Sequence, residues 1–348
     1  GNVLSMDSTF WGCISLEAAP KIPKNVTNMV GTFKNCSLLE TAPELPETVT
    51  NMEETFFYCS ALKKAPKIPE NVENMSGTFF GCIKLETAPK IPGSVTDMNY
   101  TFCNCSALKT APKLPESVKK MRGTFQGCSE LETAPKIPEN VTELEGIFKG
   151  CSALKTAPEI PAGVTSMREV FSDCTSLKKA PGIPTDVVNM REAFKNCISL
   201  ETAPKIPAGV IDMSRSFENC SSLKEAPSIP DGVTSMRYTF SGCSALEEKP
   251  EIPDSVMNME GIFDNCRALE ESWMKTQISI AMKELNALIG LNTIKYEIKK
   301  LTKLAAIQRE RKRQNMEAVP VSNHLIFSGN PGTGKTVVAR HLAQIYKS

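Results

Sequence analysis

Val95-Thr96-Asp97-Met98-Asn99-Tyr100-Thr101-Phe102-Cys103-Asn104-Cys105-Ser106-Ala107-Leu108-Lys109-Thr110-Ala111-Pro112-Lys113-Leu114-Pro115-Glu116-Ser117 is one unit of 23 residues, and Val118 opens the next copy. Its cysteine recurs at Cys13, Cys36, Cys59, Cys82, Cys105, Cys128, Cys151, Cys174, Cys197, Cys220, Cys243 and Cys266. A period in the low twenties with apolar residues at fixed places marks a solenoid, because one unit cannot bury its own apolar face and must stack on neighbours. The sequence therefore predicts a leucine-rich-repeat-like solenoid of 12 coils, each with a short helical turn and an extended proline-rich segment.

Val95, Met98, Phe102, Cys105 and Leu108 are spaced three, four, three and three apart, which keeps one face of a helical turn apolar. Every copy has the Val, the Phe and the Leu, and Leu144 alone replaces the Met. These residues read as core, with Met filling irregular gaps. The residue before the cysteine is Gly in five copies, Asn in five, and Asp173 and Tyr58 in the others. Gly and Asn tolerate positive φ, so this position is expected to end the turn in a left-handed residue. Two prolines three apart, as in Pro112 and Pro115, remove backbone donors, and the expectation is an array held mostly by side-chain stacking.

Thirteen cysteines at one per coil do not read as a secreted disulfide framework, since side chains repeated on stacked coils point in parallel. A ladder of reduced, buried thiols is expected, with no convergent zinc site. Cys103, the additional one, reads as a surface thiol.

The array resembles the BspA-like leucine-rich repeats over about residues 1–270. The likeness rests on the recurring pattern of Cys, Leu, an Ile-Pro strand end and an Ala-Phe or Met-Phe turn. It implies a protein-recognition surface, often on cell exteriors, without catalytic chemistry. The extra proline departs from the commonest form and argues against a regular β-sheet on that face.

Three surface rows are candidate contacts. After the conserved Leu, Glu86, Lys109, Glu132, Lys155, Lys178 and Glu201 read as cross-coil ion pairs. Lys67, Lys90, Lys113 and Lys136 form a basic stripe that could meet an acidic partner. Trp11, Phe57 and Phe80, two before the cysteine, with Tyr58 beside Phe57, are aromatics expected to be exposed near one end. They are the preferred contact for a protein partner.

A different composition follows. From Met274 onward there are 13 Lys/Arg against 4 Asp/Glu, and before it 27 against 35. Such a basic tail fits phosphate ligands or solvated helix faces, and nucleic acid is not the expected partner. No apolar run approaches the roughly 20 residues of a membrane helix. The chain opens mid-repeat, with no visible leader, which reads as upstream repeats lying outside it.

Gly329-Asn330-Pro331-Gly332-Thr333-Gly334-Lys335-Thr336 satisfies the phosphate-loop pattern. Glycines let backbone N–H groups curl around phosphate, Lys335 reaches the β and γ phosphates, and the Thr336 hydroxyl can ligate Mg. His324-Leu325-Ile326-Phe327-Ser328 is a strand candidate entering the loop, and 337–346, from Val337, a helix candidate leaving it. Upstream, Leu291, Ile294, Ile298, Leu301, Leu304 and Gln308 follow helical spacing behind an Asn292 cap.

Residues 285–348 resemble the start of an AAA+ ATPase domain of the CbxX/CfqX branch, which includes Rubisco-activase-like and sporulation stage V K-like proteins. The resemblance implies that Ile289 and Gly290 line an adenine pocket, that ATP and Mg are cofactors, and that the complete domain forms a hexamer that remodels a partner. Residues 271–284 read as a linker, with Trp273 and Met274 as candidates to cap the solenoid. A Walker B pair, sensor and arginine finger are missing, so this α/β segment is expected to be truncated and the chain alone not to turn over ATP. Two readings stand: a cytoplasmic recognition array coupled to an ATP-binding module, or a non-enzymatic adhesion solenoid at a cell surface with a vestigial or trimmed tail.

Overall fold

The computed structural model describes residues 2–287, 292–313, 316, 338–340 and 343. They fall into two units, Gly1–Leu269 and Glu270–Ser348. The first is the predicted solenoid. Its core is the repeat set itself: in the interior coils the Val, Met or Leu144, Phe, Cys and Leu side chains are fully excluded from solvent. The Phe rings from Phe10 to Phe263 form one continuous column, for example Phe102 to Phe125 at 5.7 Å between centroids and 8° between planes. Near-parallel aromatic neighbours at this distance attract beyond the area they bury.

The corner that carries Met, Phe and Cys is not the short helix the spacing predicts. No helix occurs between residues 2 and 266. Each coil instead carries two left-handed residues, the expected one before the cysteine, such as Asn104 (φ 59°), and a second four residues earlier, such as Tyr100 (φ 54°). Between them the backbone alternates. Thr101, Cys103 and Cys105 N–H groups close turns on Met98, Tyr100 and Phe102 carbonyls, while Met98, Tyr100, Phe102 and Asn104 N–H groups cross to the next coil at Lys120, Arg122, Thr124 and Gln126. A helix would have spent those four donors inside its own coil.

The solenoid is therefore not held by side chains alone. The prolines do forbid a ladder on their own side: the coils are joined there only by isolated bridges such as Thr87↔Thr110, and no strand forms. The ladder moved to the corner, where no proline lies. Ten of the eleven junctions have all four bonds, and the junction at Leu144 has three. Each Ile-Pro segment closes instead on a turn, as in Val95 N–H to the Pro92 carbonyl at 3.3 Å.

Side-chain ladders reinforce the backbone one. From Cys36 to Cys266 each repeat cysteine thiol donates to the Phe carbonyl of the preceding coil, as in Cys105 to Phe79 at 3.1 Å. Buried Thr hydroxyls do the same to Met carbonyls, as in Thr101 to Met75 at 2.9 Å. Every cysteine is a free thiol and all except Cys13 are buried. Burial, then the neighbouring Cys13, pushes Cys36 up to about 11. Cys103 is buried as well, not a surface thiol; it sits in the corner row between Phe80 and Gln126, and burial pushes it up to about 12.

Across the surface rows, Lys63 with Glu40 (3.4 Å) and Lys155 with Glu132 (2.7 Å) make the cross-coil pairs expected after the conserved Leu, while Lys109 turns instead to Glu130. The lysine stripe is largely neutralised, by Glu47 on Lys67, Glu70 on Lys90 and Glu139 on Lys136. The equivalent of Glu47 and Glu70 for Lys113 is Gly93.

Two helices follow, α1 (Arg267–Ala287) and α2 (Asn292–Arg313). The predicted linker is thus helical: after Cys266 no proline interrupts the chain until Pro320. Trp273 is exposed rather than capping by burial. Helix α2 matches the spacing read from sequence, and Ile298 joins Ala281, Leu285 and Val338 in a small separate core. Residues 338–340 and 343 are helical, as expected of 337–346.

Because it is the thiolate that attacks an alkylating reagent and displaces its iodide, brief iodoacetamide treatment of the native protein at pH 8 is expected to label the exposed Cys13 first, giving one adduct by intact mass against thirteen after denaturation. Several rapid adducts would contradict the buried ladder.

Candidate functional site

The left-handed pair fixes the direction of the residues between and beside it. Side chains at the Phe and Cys positions enter the core, while those two before and one before the cysteine line the outside of the corner. Along the first of these rows stand Trp11, Lys34, Phe57 and Phe80 on four successive coils, with Tyr58 in the second.

Phe57 and Phe80 stack at 4.5 Å, and the Tyr58 ring stands edge-on to both, at 4.9 Å and 5.3 Å. Lys34 Nζ lies 4.5 Å from the centre of the Phe57 ring and 5.7 Å from that of Trp11, so the cation is held between aromatics of adjacent coils. Glu54 binds the same ammonium at 2.6 Å. Trp11 is 60% exposed and Tyr58 46%, whereas Phe57 and Phe80 are half-buried, not exposed as the sequence led us to expect. Each is covered by the other.

Gly81 makes this packing possible. A Cβ there would stand 2.4 Å from the Tyr58 ring, and Gly81 itself has φ +72°. The Tyr58 ring therefore lies down on the backbone of the following coil. Lys34 and Glu54 were missed in the sequence reading. Listing the whole row two before the cysteine would have found Lys34 between Trp11 and Phe57, whereas Glu54 required knowledge of the second left-handed turn.

The nucleotide residues Ile289, Gly290, Gly329, Asn330, Pro331, Gly332, Thr333, Gly334, Lys335, Thr336 and Val337 lie outside the described residues. Among the described residues no group of three His, Cys, Asp or Glu could hold a metal ion, and no helix is long and apolar enough to cross a membrane.

A family model described as BspA type leucine rich repeat region (6 copies) matches residues 6–109, 98–214 and 190–305. The chain belongs to this family. Among solved structures it is similar to a leucine-rich repeat protein from Bacteroides ovatus, at 25% identity and a TM-score of 0.45, covering 77% of this chain and 81% of that one. Curated relatives match over short lengths. The ESX-3 secretion system protein EccA3 of Mycolicibacterium smegmatis is 39% identical over 66 residues, 19% of this chain and 11% of the relative. Stage V sporulation protein K of Bacillus subtilis is 36% identical over 64 residues, 18% and 20% respectively. The chain thus spans about a tenth to a fifth of the length of these two relatives.

In this BspA-type array the corner cluster is built as a unit. A double-mutant cycle on Lys34→Met and Phe57→Leu, read by chemical denaturation, is expected to give a coupling of about 0.5–1 kcal/mol, the size of a partly exposed cation–π contact. Additive effects would mean that the ammonium and the ring do not interact.

Proposed function

We propose that the leucine-rich array recognises a protein partner through the corner cluster of Trp11, Tyr58, Phe57 and Phe80. The observation that carries this reading is the exposure of two large amphipathic aromatics, Trp11 beside the Lys34 ammonium and Tyr58 on the stacked Phe57 and Phe80 rings. Tyr and Trp dominate binding hot spots because they bury much area at little entropic cost, and prior stacking lowers that cost further. The basic stripe is a weaker contact, since Glu47, Glu70 and Glu139 already neutralise it.

The second part of the proposal concerns the tail. Residues 329–336 hold the phosphates of ATP, Thr336 holds Mg through the nucleotide, and Ile289 and Gly290 line the base pocket of an AAA+ module. Supporting it are the complete G-x-x-x-x-G-K-T run and the short similarities to EccA3 and stage V sporulation protein K. In the whole protein this module would assemble as a hexamer in the cytoplasm, where ATP is present and free thiols persist, and would act on the partner that the array selects.

Capture experiments with the immobilised chain are expected to retain a specific protein partner, and Trp11→Ala with Tyr58→Ala to lose it with an unchanged melting temperature. Retention of the partner by the double variant would move recognition elsewhere. Fluorescent ATP is expected to bind saturably with Mg and to be lost in Lys335→Ala, with no phosphate release by either protein. Absence of binding would favour the adhesion solenoid with a vestigial tail.

A further inference from the structure

Ten of the eleven junctions are tied on both flanks of the corner, and the one between the seventh coil, 141–163, and the eighth, 164–186, is tied on one. Beside the corner, the N–H one residue after the repeat Val donates to the equivalent carbonyl of the coil before. The distance is 2.8–2.9 Å at nine junctions, as in Thr96 to Glu73. Around the seventh coil this row opens. Thr142 reaches the Lys119 carbonyl only at 3.4 Å, and the Thr165 and Ser166 N–H groups have no acceptor among the described residues. The Leu144 N–H, the corner donor missing from the same junction, has none there either. Parallel bridges join the adjoining row at the ten other junctions, and none joins Glu143 to Ser166.

Two side-chain changes account for the opening. Buried hydroxyls tie earlier junctions by donating to the Met carbonyl of the coil before, as Thr101 does to Met75 and Thr124 to Met98, both at 2.9 Å. Ile147, Val170 and Ala193 hold that position in the seventh, eighth and ninth coils, so the Met121, Leu144 and Met167 carbonyls lose this donor. Elsewhere an Asn or Asp caps its own turn, as Asp97 accepts the Asn99 N–H at 2.9 Å. The seventh coil has the longer Glu143 at this place, and the Glu145 N–H has no acceptor among the described residues. The other flank stays closed. Gly146, Phe148 and Gly150 N–H groups reach the Arg168, Val170 and Ser172 carbonyls at 2.9, 3.0 and 2.7 Å, and the Cys174 thiol reaches Phe148 at 3.1 Å. Phe148 and Phe171 keep the usual 5.7 Å, with the largest tilt in the column, 12°. Across the open side runs a side-chain strap: Ser166 Oγ donates to Glu145 Oε1 at 2.8 Å, and the other Glu145 oxygen binds Arg122 of the sixth coil.

We propose that this junction is a joint: the array is two stacks of coils that pivot about the bonds made by Gly146, Phe148 and Gly150 and part between Thr142 and Thr165, with Glu145 as the strap that limits opening. In a repeat array each coil touches only its neighbours, so a junction short of bonds is not reinforced from elsewhere. Local opening concentrates where backbone bonds are fewest, and a few residues suffice to absorb a hinge motion. The aromatic cluster lies on the first stack, and Arg168, Arg191, Arg215 and Arg237 line the corner of the second. Pivoting therefore changes the spacing between two chemically different surfaces while leaving each intact. This inference does not rest on the aromatic cluster or on nucleotide, and its failure would leave that reading untouched.

The test is double electron–electron resonance between nitroxide pairs on the full chain, in a Cys13→Ser background because every other thiol is buried. Thr27, Lys119 and Ile211 are exposed and share one repeat position. Labels on Thr27→Cys and Lys119→Cys lie within the first stack, and labels on Lys119→Cys and Ile211→Cys, the same number of coils apart, straddle the joint. The straddling pair is expected to give a distance distribution at least about twofold broader than the other. Ile147→Thr with Val170→Thr, which returns hydroxyls to the Met121 and Leu144 carbonyls, is expected to narrow it to the in-stack width. Ser166→Ala, which removes the strap, is expected to broaden it further, and it gives a reading that does not depend on how the repaired core packs. Amide exchange is an independent readout: Leu144, Thr165 and Ser166 should exchange at least about tenfold faster than Met98, Thr96 and Asp97, their equivalents two and three coils earlier. Equal widths for the two pairs, a straddling width unchanged by both sets of substitutions, or equal exchange in the two sets of amides would each overturn the proposal.

Discussion

Backbone hydrogen bonds between coils at the corner are the constraint on which the rest of the solenoid depends. They need a backbone that turns every second N–H outward along the array axis, and two left-handed residues per coil supply it. Once that corner exists, successive Phe rings are brought to 5.4–5.9 Å of one another, and each thiol and threonine hydroxyl is brought under a carbonyl of the preceding coil. The Pro-rich half then needs no ladder, which is why it can carry two prolines per unit. The glycines and asparagines of the corner are a consequence of the same geometry. Where the left-handed residue is large, as at Tyr58, Tyr100 and Tyr238, its ring lies over a glycine of the next coil: Gly81, Gly123 and Gly261.

Much of this was legible in the sequence, and its limits have physical causes. The period, the core set and the left-handed residue before the cysteine follow from Val95, Met98, Phe102, Asn104, Cys105 and Leu108, because burial and positive φ leave a compositional mark. The second left-handed position does not. It is occupied by Gly in some coils but by Ser8, Glu54, Tyr100, Glu169, Glu192, Arg215 and Tyr238 in others, residues that do not advertise positive φ. Spacings of three and four suit a helix and a string of turns equally well, and the discriminating information, where the N–H groups go, lies 22 residues away. Cys103 was misread for a related reason: burial in the corner row comes from neighbours one period distant, not from adjacent residues. The aromatic row was found, but its mutual stacking, which half-buries Phe57 and Phe80, depends on distances across coils.

The chemistry of the two parts is of different kinds. Among the described residues of the array charged side chains pair across coils, as in Lys34 with Glu54 or Lys195 with Glu218, and within a coil, as in Arg215 with Glu218, while Trp11 and Tyr58 leave exposed aromatic area. A repeat scaffold of this sort presents side chains at fixed intervals along its surface. The G-x-x-x-x-G-K-T pattern, by contrast, lies in contiguous residues, 329–336, and is read without any tertiary information. The family of the array is shown by a match spanning residues 6–305, while the similarity to EccA3 covers 66 residues.

Hydrogen exchange resolved to single amides across the interior coils tests the central claim, that the corner ladder holds the array together. The account predicts that amides crossing between coils, such as those of Met98, Tyr100, Phe102 and Asn104, exchange orders of magnitude more slowly than Lys109 and Lys113 of the same coil. Equal exchange in the two halves of the coil would contradict it, and would return the stability of the solenoid to its side-chain columns.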